Sequence, residues 1–350
     1  MRKVLIALLV MSSGIVSAKT PAGKLLDRIC KLQKVGIMIG HQDDPVYGAE
    51  WKWERGRSDV METCGDYPAV MGFDLGAMEL GSDKNLDGVP FDRMREEIIA
   101  QHKRGGIVTL SWHPWNPVTG ENAWDKTGNA VSSVLNGAQK SRFDGWLTIL
   151  SWFIGSLKTE CGEPVPVIFR PWHEMSGGWF WWGKDSCTPE EYKQLFIYTY
   201  KTLVEKGCDN IVWAYSPNLG VDDFMKYYPG DEYVDMLGID VYDFEHNNKT
   251  YTDNLTRELD TLSKYGSEHK KPIALTETGS QQLQYDNWFT EVLYPIVSRY
   301  PLVYVLFWRN AHDNPKELYI SYPKHPTAPD FKRFHDLKNT LFVKDISKIH

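Results

Sequence analysis

One pattern constrains this chain more than any other: a short β-rich run, a longer loop and a helical stretch, repeated from end to end. The β-rich runs are Ile37–Gly40, Ala69–Asp74, Ile107–Trp112, Val165–Pro171, Asn210–Ser216, Val234–Val241, Ile273–Glu277 and Val303–Trp308. Several are almost continuously apolar, as strands buried on both faces are. Phe91–Arg104 places Phe91, Met94 and Ile98 on one helical face and stops at Gly105-Gly106. Arg142–Lys158 is apolar at helical spacing. Thr188-Pro189-Glu190-Glu191 reads as an N-cap, a first-turn proline and a capping-box glutamate, opening a helix that ends before Gly207. Leu255, Leu259 and Leu262 mark another helix, and Trp288–Val297 and Phe331–Leu341 supply two more. The connection after the fifth run is short and its helix weak. Eight strands alternating with helices predict a (β/α)8 TIM barrel with an N-terminal helix.

The connections are unequal. Leu75–Pro90, His113–Ser141 and Arg309–Ala328 follow strands and are long, whereas segments returning to strands are short. Enlarged βα loops lie at the strand C-termini, the face where barrel active sites are built. Residues 1–18 read as a signal peptide: Arg2 and Lys3, the apolar run Val4–Val10, then Val16-Ser17-Ala18 at the cleavage rule's positions. That run is too short to span a bilayer, which takes ~20 residues, and no later stretch is apolar enough. Residues 19–350 are expected to form a single barrel domain, exported to the periplasm or the extracellular space, and monomeric.

Composition narrows the partners. The net charge is −7 with no basic block, which excludes a nucleic-acid footprint. The 14 Trp, 18 Tyr and 14 Phe are numerous and clustered among polar residues, which suits a ligand with flat apolar faces and a hydroxyl rim. The five cysteines form no C-x-x-C, and no H-E-x-x-H occurs, so neither a metal nor an organic cofactor is expected. Export permits disulfides, but spacing does not select a pairing.

The chemistry is therefore read at the strand ends. These carry Ser111-Trp112-His113-Pro114-Trp115, Arg170-Pro171-Trp172-His173-Glu174, Asp240-Val241-Tyr242, Thr276-Glu277-Thr278-Gly279 and Trp308-Arg309. Glu174 and Glu277 end strands four and seven, which face one barrel mouth. Glycoside hydrolysis needs such a pair, one carboxyl protonated and one ionised. Burial favours the neutral form and nearby cations the charged one, and Arg170 and His173 stand where they can divide the two. Either glutamate alone could equally be half of a structural salt bridge; the pair among tryptophans argues for catalysis. An isolated His113 would more often be a core histidine, but Trp112, Pro114 and Trp115 flank it. Trp179 to Trp182 form a run of four aromatics after Gly177-Gly178; about half are expected to pack under their loop.

These motifs resemble glycoside hydrolase family 26. Arg170-Pro171-Trp172-His173-Glu174-Met175, with Trp179 close behind, is similar to that family's acid/base motif. Thr276-Glu277-Thr278-Gly279 is similar to its nucleophile strand, and Ser111-Trp112-His113-Pro114 and the Trp308 strand end also match. The resemblance implies a retaining β-1,4-mannanase acting on mannan, glucomannan or galactomannan, with Glu174 as general acid/base and Glu277 as nucleophile. It implies that His113, Arg170, His173, Trp179, Tyr242 and Trp308 line the subsite of the reacting sugar, that Trp124 contacts substrate further out, and that Tyr242 orients Glu277. A mixed-linkage β-glucanase or xylanase on the same scaffold, or a non-catalytic polysaccharide-binding protein, are the alternative readings.

Overall fold

The computed structural model describes residues 19–220 and 224–349; the signal-peptide segment lies outside them. Eight strands run in chain order: β1 Ile37–Gln42, β2 Val70–Asp74, β3 Ile107–Trp112, β4 Val167–Pro171, β5 Ile211–Tyr215, β6 Met236–Asp243, β7 Ile273–Ser280 and β8 Leu302–Phe307. Each pairs in parallel with the next, and β8 pairs with β1 at Met38–Tyr304, so the sheet closes. Closure leaves no unpaired edge. This is the (β/α)8 barrel expected from the rhythm, with strand limits within a few residues of those read from sequence.

The barrel interior is a packed layer of Met38, Val70, Ile168, Val212, Met236 and Ala274, all buried. Its lower end is sealed by α1 (Pro21–Leu32), which adds Leu25, Ile29 and Leu32 to the same cluster. Arg28 clips this helix to the turn before β3 and to the chain's far end, donating to the carbonyls of Gly105 (2.7 Å), Ile346 (2.8 Å) and Ile349 (3.0 Å).

Around the outside lie α2 (Asp59–Cys64), α3 (Phe91–Lys103), α4 (Ala130–Asn136), α5 (Lys140–Ser156), α6 (Pro189–Glu205), α7 (Asn248–His269), α8 (Tyr294–Val297) and α9 (Ala328–His335). A π-helical turn over Trp288–Leu293 leads into α8. The capping box at α6 is formed: Thr188 Oγ1 accepts from the Glu191 amide (3.2 Å) and the Glu191 carboxylate accepts from the Thr188 amide (2.8 Å). Among the described residues, the connection from β5 to β6 carries turns and no helix.

The helix expected over Phe331–Leu341 stops at His335. The Thr340 hydroxyl donates to the carbonyls of Phe334 (2.7 Å) and Leu337 (2.9 Å), and Thr340 pairs with Ile37 beside β1. A hydroxyl that takes helix-end carbonyls ends the helix, and periodicity does not reveal it. All five cysteines are unpaired. Burial pushes the Cys64 and Cys187 thiols up to about 12, which leaves them unreactive.

Thr188→Ala removes one half of the reciprocal cap. It is expected to lower stability by about 1 kcal/mol, read as a lower urea midpoint with unchanged slope.

Candidate active site

Glu174 stands on a turn that few residues adopt without support. Trp172 and Glu174 both have left-handed backbones, with φ of 56° and 54°. Each such residue costs of order 1–3 kcal/mol and persists only where the surroundings dictate it. Here the turn is pinned at three points. Tyr192 donates to the Trp172 carbonyl (2.9 Å), Trp182 Nε1 to the His173 carbonyl (2.9 Å), and the Glu174 amide to the Ser216 carbonyl just past β5 (2.8 Å). The turn swings the Glu174 carboxyl over the barrel mouth, where Trp179 Nε1 donates to it (3.0 Å). Burial, and next the charge of Glu277, push the Glu174 carboxyl up to about 7, against the opposing pull of Arg170, the Trp179 donor and His113.

Glu277 is aimed by an irregularity in β7. Ile239 pairs with Leu275 but Asp240 pairs with Glu277, so β7 holds one extra residue, Thr276. Such a bulge re-aims the side chains beside it. The Thr276 hydroxyl lies 2.6 Å from Asp240 Oδ1 and holds the bulge in place. Both Glu277 oxygens accept hydrogen bonds, Oε1 from Arg170 and Oε2 from Tyr242 (2.6 Å). Arg170 also donates to Asp240 (2.8 Å) and Ser216 (2.9 Å). Burial, together with the charges of both glutamates, raises the Asp240 carboxyl well above its ordinary range in spite of Arg170. One oxygen each of Glu174, Asp240 and Glu277 lies within 4.8 Å of the others. A cation could sit among three such oxygens, but the Arg170 guanidinium already bonds two of the carboxylates.

The two histidines differ. His113 Nδ1 is 2.6 Å from Asp74, whereas the His173 ring meets His113 edge-on at 4.5 Å and has its Nε2 3.9 Å from Glu277 Oε1. Burial works to discharge both rings. For His113 the Asp74 carboxylate prevails and the ring's proton affinity rises; for His173, Arg170 and His113 add to burial and it falls well below the usual range.

Eight of the nine residues expected at the site line one cleft of about 630 Å³: His113, Trp124, His173, Glu174, Trp179, Tyr242, Glu277 and Trp308. Arg170 does not line it. Arg170 is buried beneath the floor and acts on the cleft through Glu277. Of the aromatic run, Trp179 is 38% exposed, whereas Phe180, Trp181 and Trp182 are buried, so three of the four pack under the loop. Trp181 Nε1 donates to the Pro114 carbonyl (2.9 Å), which explains why an indole is used there. Trp124, 49% exposed, stacks on His113 at 5.5 Å.

A scan of family models matches residues 16–321 to glycosyl hydrolase family 26. The chain belongs to that family. It is thus a glycoside hydrolase by family. A GH26 beta-mannanase structure from Bacteroides ovatus is 44% identical, with a TM-score of 0.92 over 95% of this chain and 98% of that one. A mannan endo-1,4-beta-mannosidase of Bacillus subtilis strain 168 is 30% identical over 72% of this chain and 68% of its own length. One from Bifidobacterium adolescentis is 30% identical over 94% of this chain, which spans only 35% of that longer relative.

The cleft also gathers residues that lie outside the motifs named above. Asp74, Asn218, Phe244 and Tyr319 also shape it, and the sequence reading left them out. Phe244 stacks on Tyr242 at 4.9 Å, and Tyr319 meets Tyr242 edge-on at 5.6 Å. Tyr319 fits only because residue 279 is glycine: its φ is 153°, and a Cβ there would lie 2.7 Å from Tyr319 Cδ1. The Thr276-Glu277-Thr278-Gly279 motif thus also seats an aromatic from another loop. Gly279→Ala is expected to lower stability by about 1–3 kcal/mol, read in urea unfolding followed by tryptophan fluorescence.

Proposed function

We propose that this chain hydrolyses β-1,4-mannosidic bonds in mannan polysaccharides by double displacement, with retention at the anomeric carbon. One observation carries the reading: the Glu174 and Glu277 carboxylates approach within 4.8 Å. Retaining glycosidases hold their pair at ~5–5.5 Å and inverting ones at ~6.5–9.5 Å, where a water must fit between. Mannan as substrate rests on the family and on the printed activities of its relatives.

The roles follow from the hydrogen bonds. Glu277 accepts from Arg170 and Tyr242 and attacks C1 of the sugar. Glu174, whose burial favours its proton, gives that proton to the departing glycosidic oxygen as the C1–O bond breaks. The product is a glycosyl ester on Glu277 and a shortened chain. Glu174, now a carboxylate, takes a proton from water as that water attacks C1 and frees Glu277. Trp179 and Trp124 offer exposed indole faces to the C–H faces of sugar rings. The leader-like composition of residues 1–18 supports export, which would bring the enzyme to a polysaccharide that does not enter cells.

Incubation with unbranched β-1,4-mannan should release manno-oligosaccharides whose first-formed anomer, read by proton NMR, is β. Glu277→Ala should lose turnover by 10³-fold or more, on the order of the catalytic terms removed. First formation of the α anomer, or near-normal turnover in Glu277→Ala, would overturn the mechanism. Cleavage of barley glucan but not mannan would keep the pair and overturn the substrate. Glu174 must be protonated to act as the acid, so kcat/KM should fall as pH rises through about 7. That limb should vanish in Glu174→Gln.

A further inference from the structure

Just past β6 the chain places a phenyl ring of which little is used for packing. Phe244 is 56% exposed, the most exposed large apolar side chain among those lining the cleft. It stacks on Tyr242 at 4.9 Å with the two planes 20° apart. One face of the ring is therefore backed and the other is left to the cleft. A single exposed apolar side chain is ordinary on an open surface. This one borders the site, and its backing is fixed.

The strand beneath it is tied on both sides. Tyr242 pairs with Gly279 and Asp243 with Ser280, so the ladder runs up to the residue before Phe244. The buried Asp243 carboxylate accepts from the Ser280 hydroxyl (3.1 Å) and from the Asn247 amide (2.9 Å), which anchors the chain before and after residue 244. Tyr242 leaves the stack only by giving up its bond to Glu277 and its edge contact with Tyr319. A ring held in this way loses little conformational freedom when a ligand covers it.

The path of the departing chain follows from the two glutamates. Glu174 comes from the turn after β4 and Glu277 from β7, so the polymer crosses between them. One part of it lies over β5 and β6, the other over β8 and β1 to β3. The turn that carries Glu174 is bonded on its β5 side: its amide reaches the Ser216 carbonyl, and the Ser176 hydroxyl lies 2.6 Å from Asn218 Oδ1. Glu174 thus belongs to the β5 side of the mouth, where Asn218, Leu219 and Phe244 line the cleft. Trp179, whose indole bonds Glu174, stands beside the first departing sugar. Tyr242 touches Glu277, and Phe244 is one ring further from the reacting carbon.

We propose that Phe244 is a specificity-determining residue whose open face carries the second sugar of the departing chain. The inference rests on Glu174 being the acid of the reaction. The axial C–H bonds at C1, C3 and C5 give a β-mannose ring one apolar face, and laying it on a phenyl ring takes apolar surface of both out of water. That contact is the same before and during bond breaking, so it adds binding and no chemistry. Its consequence is the choice of bond: Phe244 favours cuts that leave two or more sugars on the departing side.

The test is hydrolysis of β-1,4-mannopentaose by the full chain in heavy-oxygen water, with early products weighed by mass spectrometry. The oxygen of water enters at C1 of the fragment released from Glu277, so the unlabelled fragment is the one that departed. In Phe244→Ala, the ratio of cuts releasing one departing mannose to cuts releasing two or more should rise by about 3–10-fold. Phe244→Tyr keeps the ring and should restore the wild-type ratio. Phe244→Leu retains more of the packing on Tyr242 and should shift the ratio as Phe244→Ala does, so the test stands if Phe244→Ala fails to fold. All products falling together at an unchanged ratio would mean that the ring only holds Tyr242, and overturns the inference. A shift toward longer departing pieces puts Phe244 under the retained sugars and overturns it too. A wild-type enzyme that leaves mannopentaose intact overturns the mannan reading and this inference with it. A wild type that cleaves mannopentaose, with the ratio unmoved in Phe244→Ala and Phe244→Leu, overturns this inference alone.

Discussion

A buried guanidinium organises this barrel mouth. Arg170 is almost wholly removed from water, and a charge so placed is tolerated only where it is paired and hydrogen-bonded. Its partners come from three other strands or their ends: Ser216 beyond β5, Asp240 on β6 and Glu277 on β7. The requirement to satisfy one side chain therefore fixes the relative placement of β4 to β7. Glu277 and the turn bearing Glu174 inherit that placement. The contacts that satisfy the buried charge also aim Glu277, so removing one partner would leave an unpaired buried charge as well as a misaimed carboxylate.

The cluster would be unworkable if its members were all charged. Three carboxylates crowd one arginine, and the arrangement divides them by environment. Glu277 accepts two strong donors. Glu174 has one indole donor and faces both burial and the charge of Glu277, so its proton is retained near neutrality. The histidines divide in the same way: Asp74 raises the proton affinity of one against burial, whereas burial and then Arg170 lower that of its neighbour. The acid and base roles proposed for the two glutamates thus rest on which side chain stands behind which, with no change in residue type.

The strands were legible because burial on both faces writes a continuous apolar run, and the candidate glutamate pair because each glutamate ends such a run. Local helix signals were legible where the chemistry is local, as in the Thr188 to Glu191 cap. What escaped depends on register between segments far apart. Asp74 ends an apolar run like the others, yet nothing near it in sequence points to a histidine 39 residues on. Arg170 was read as a wall of the subsite, but strand alternation and the depth of its partners draw it under the floor. The bulge at Thr276 breaks the two-residue period that the reading relied on. Tyr319 arrives from a loop whose path is set by a glycine on another strand.

The long loop after β3 and the aromatic loop after β4 are stitched together. The Trp181 amide donates to the Ala123 carbonyl, its indole reaches the Pro114 carbonyl, and Lys126 Nζ donates to the Gly178 carbonyl. The segments bearing Trp124 and Trp179 are therefore parts of one braced wall, joined by main-chain and side-chain bonds. A cleft bounded by such a wall keeps its width as one unit, because Trp124 and Trp179 move apart only if these bonds between the two loops break.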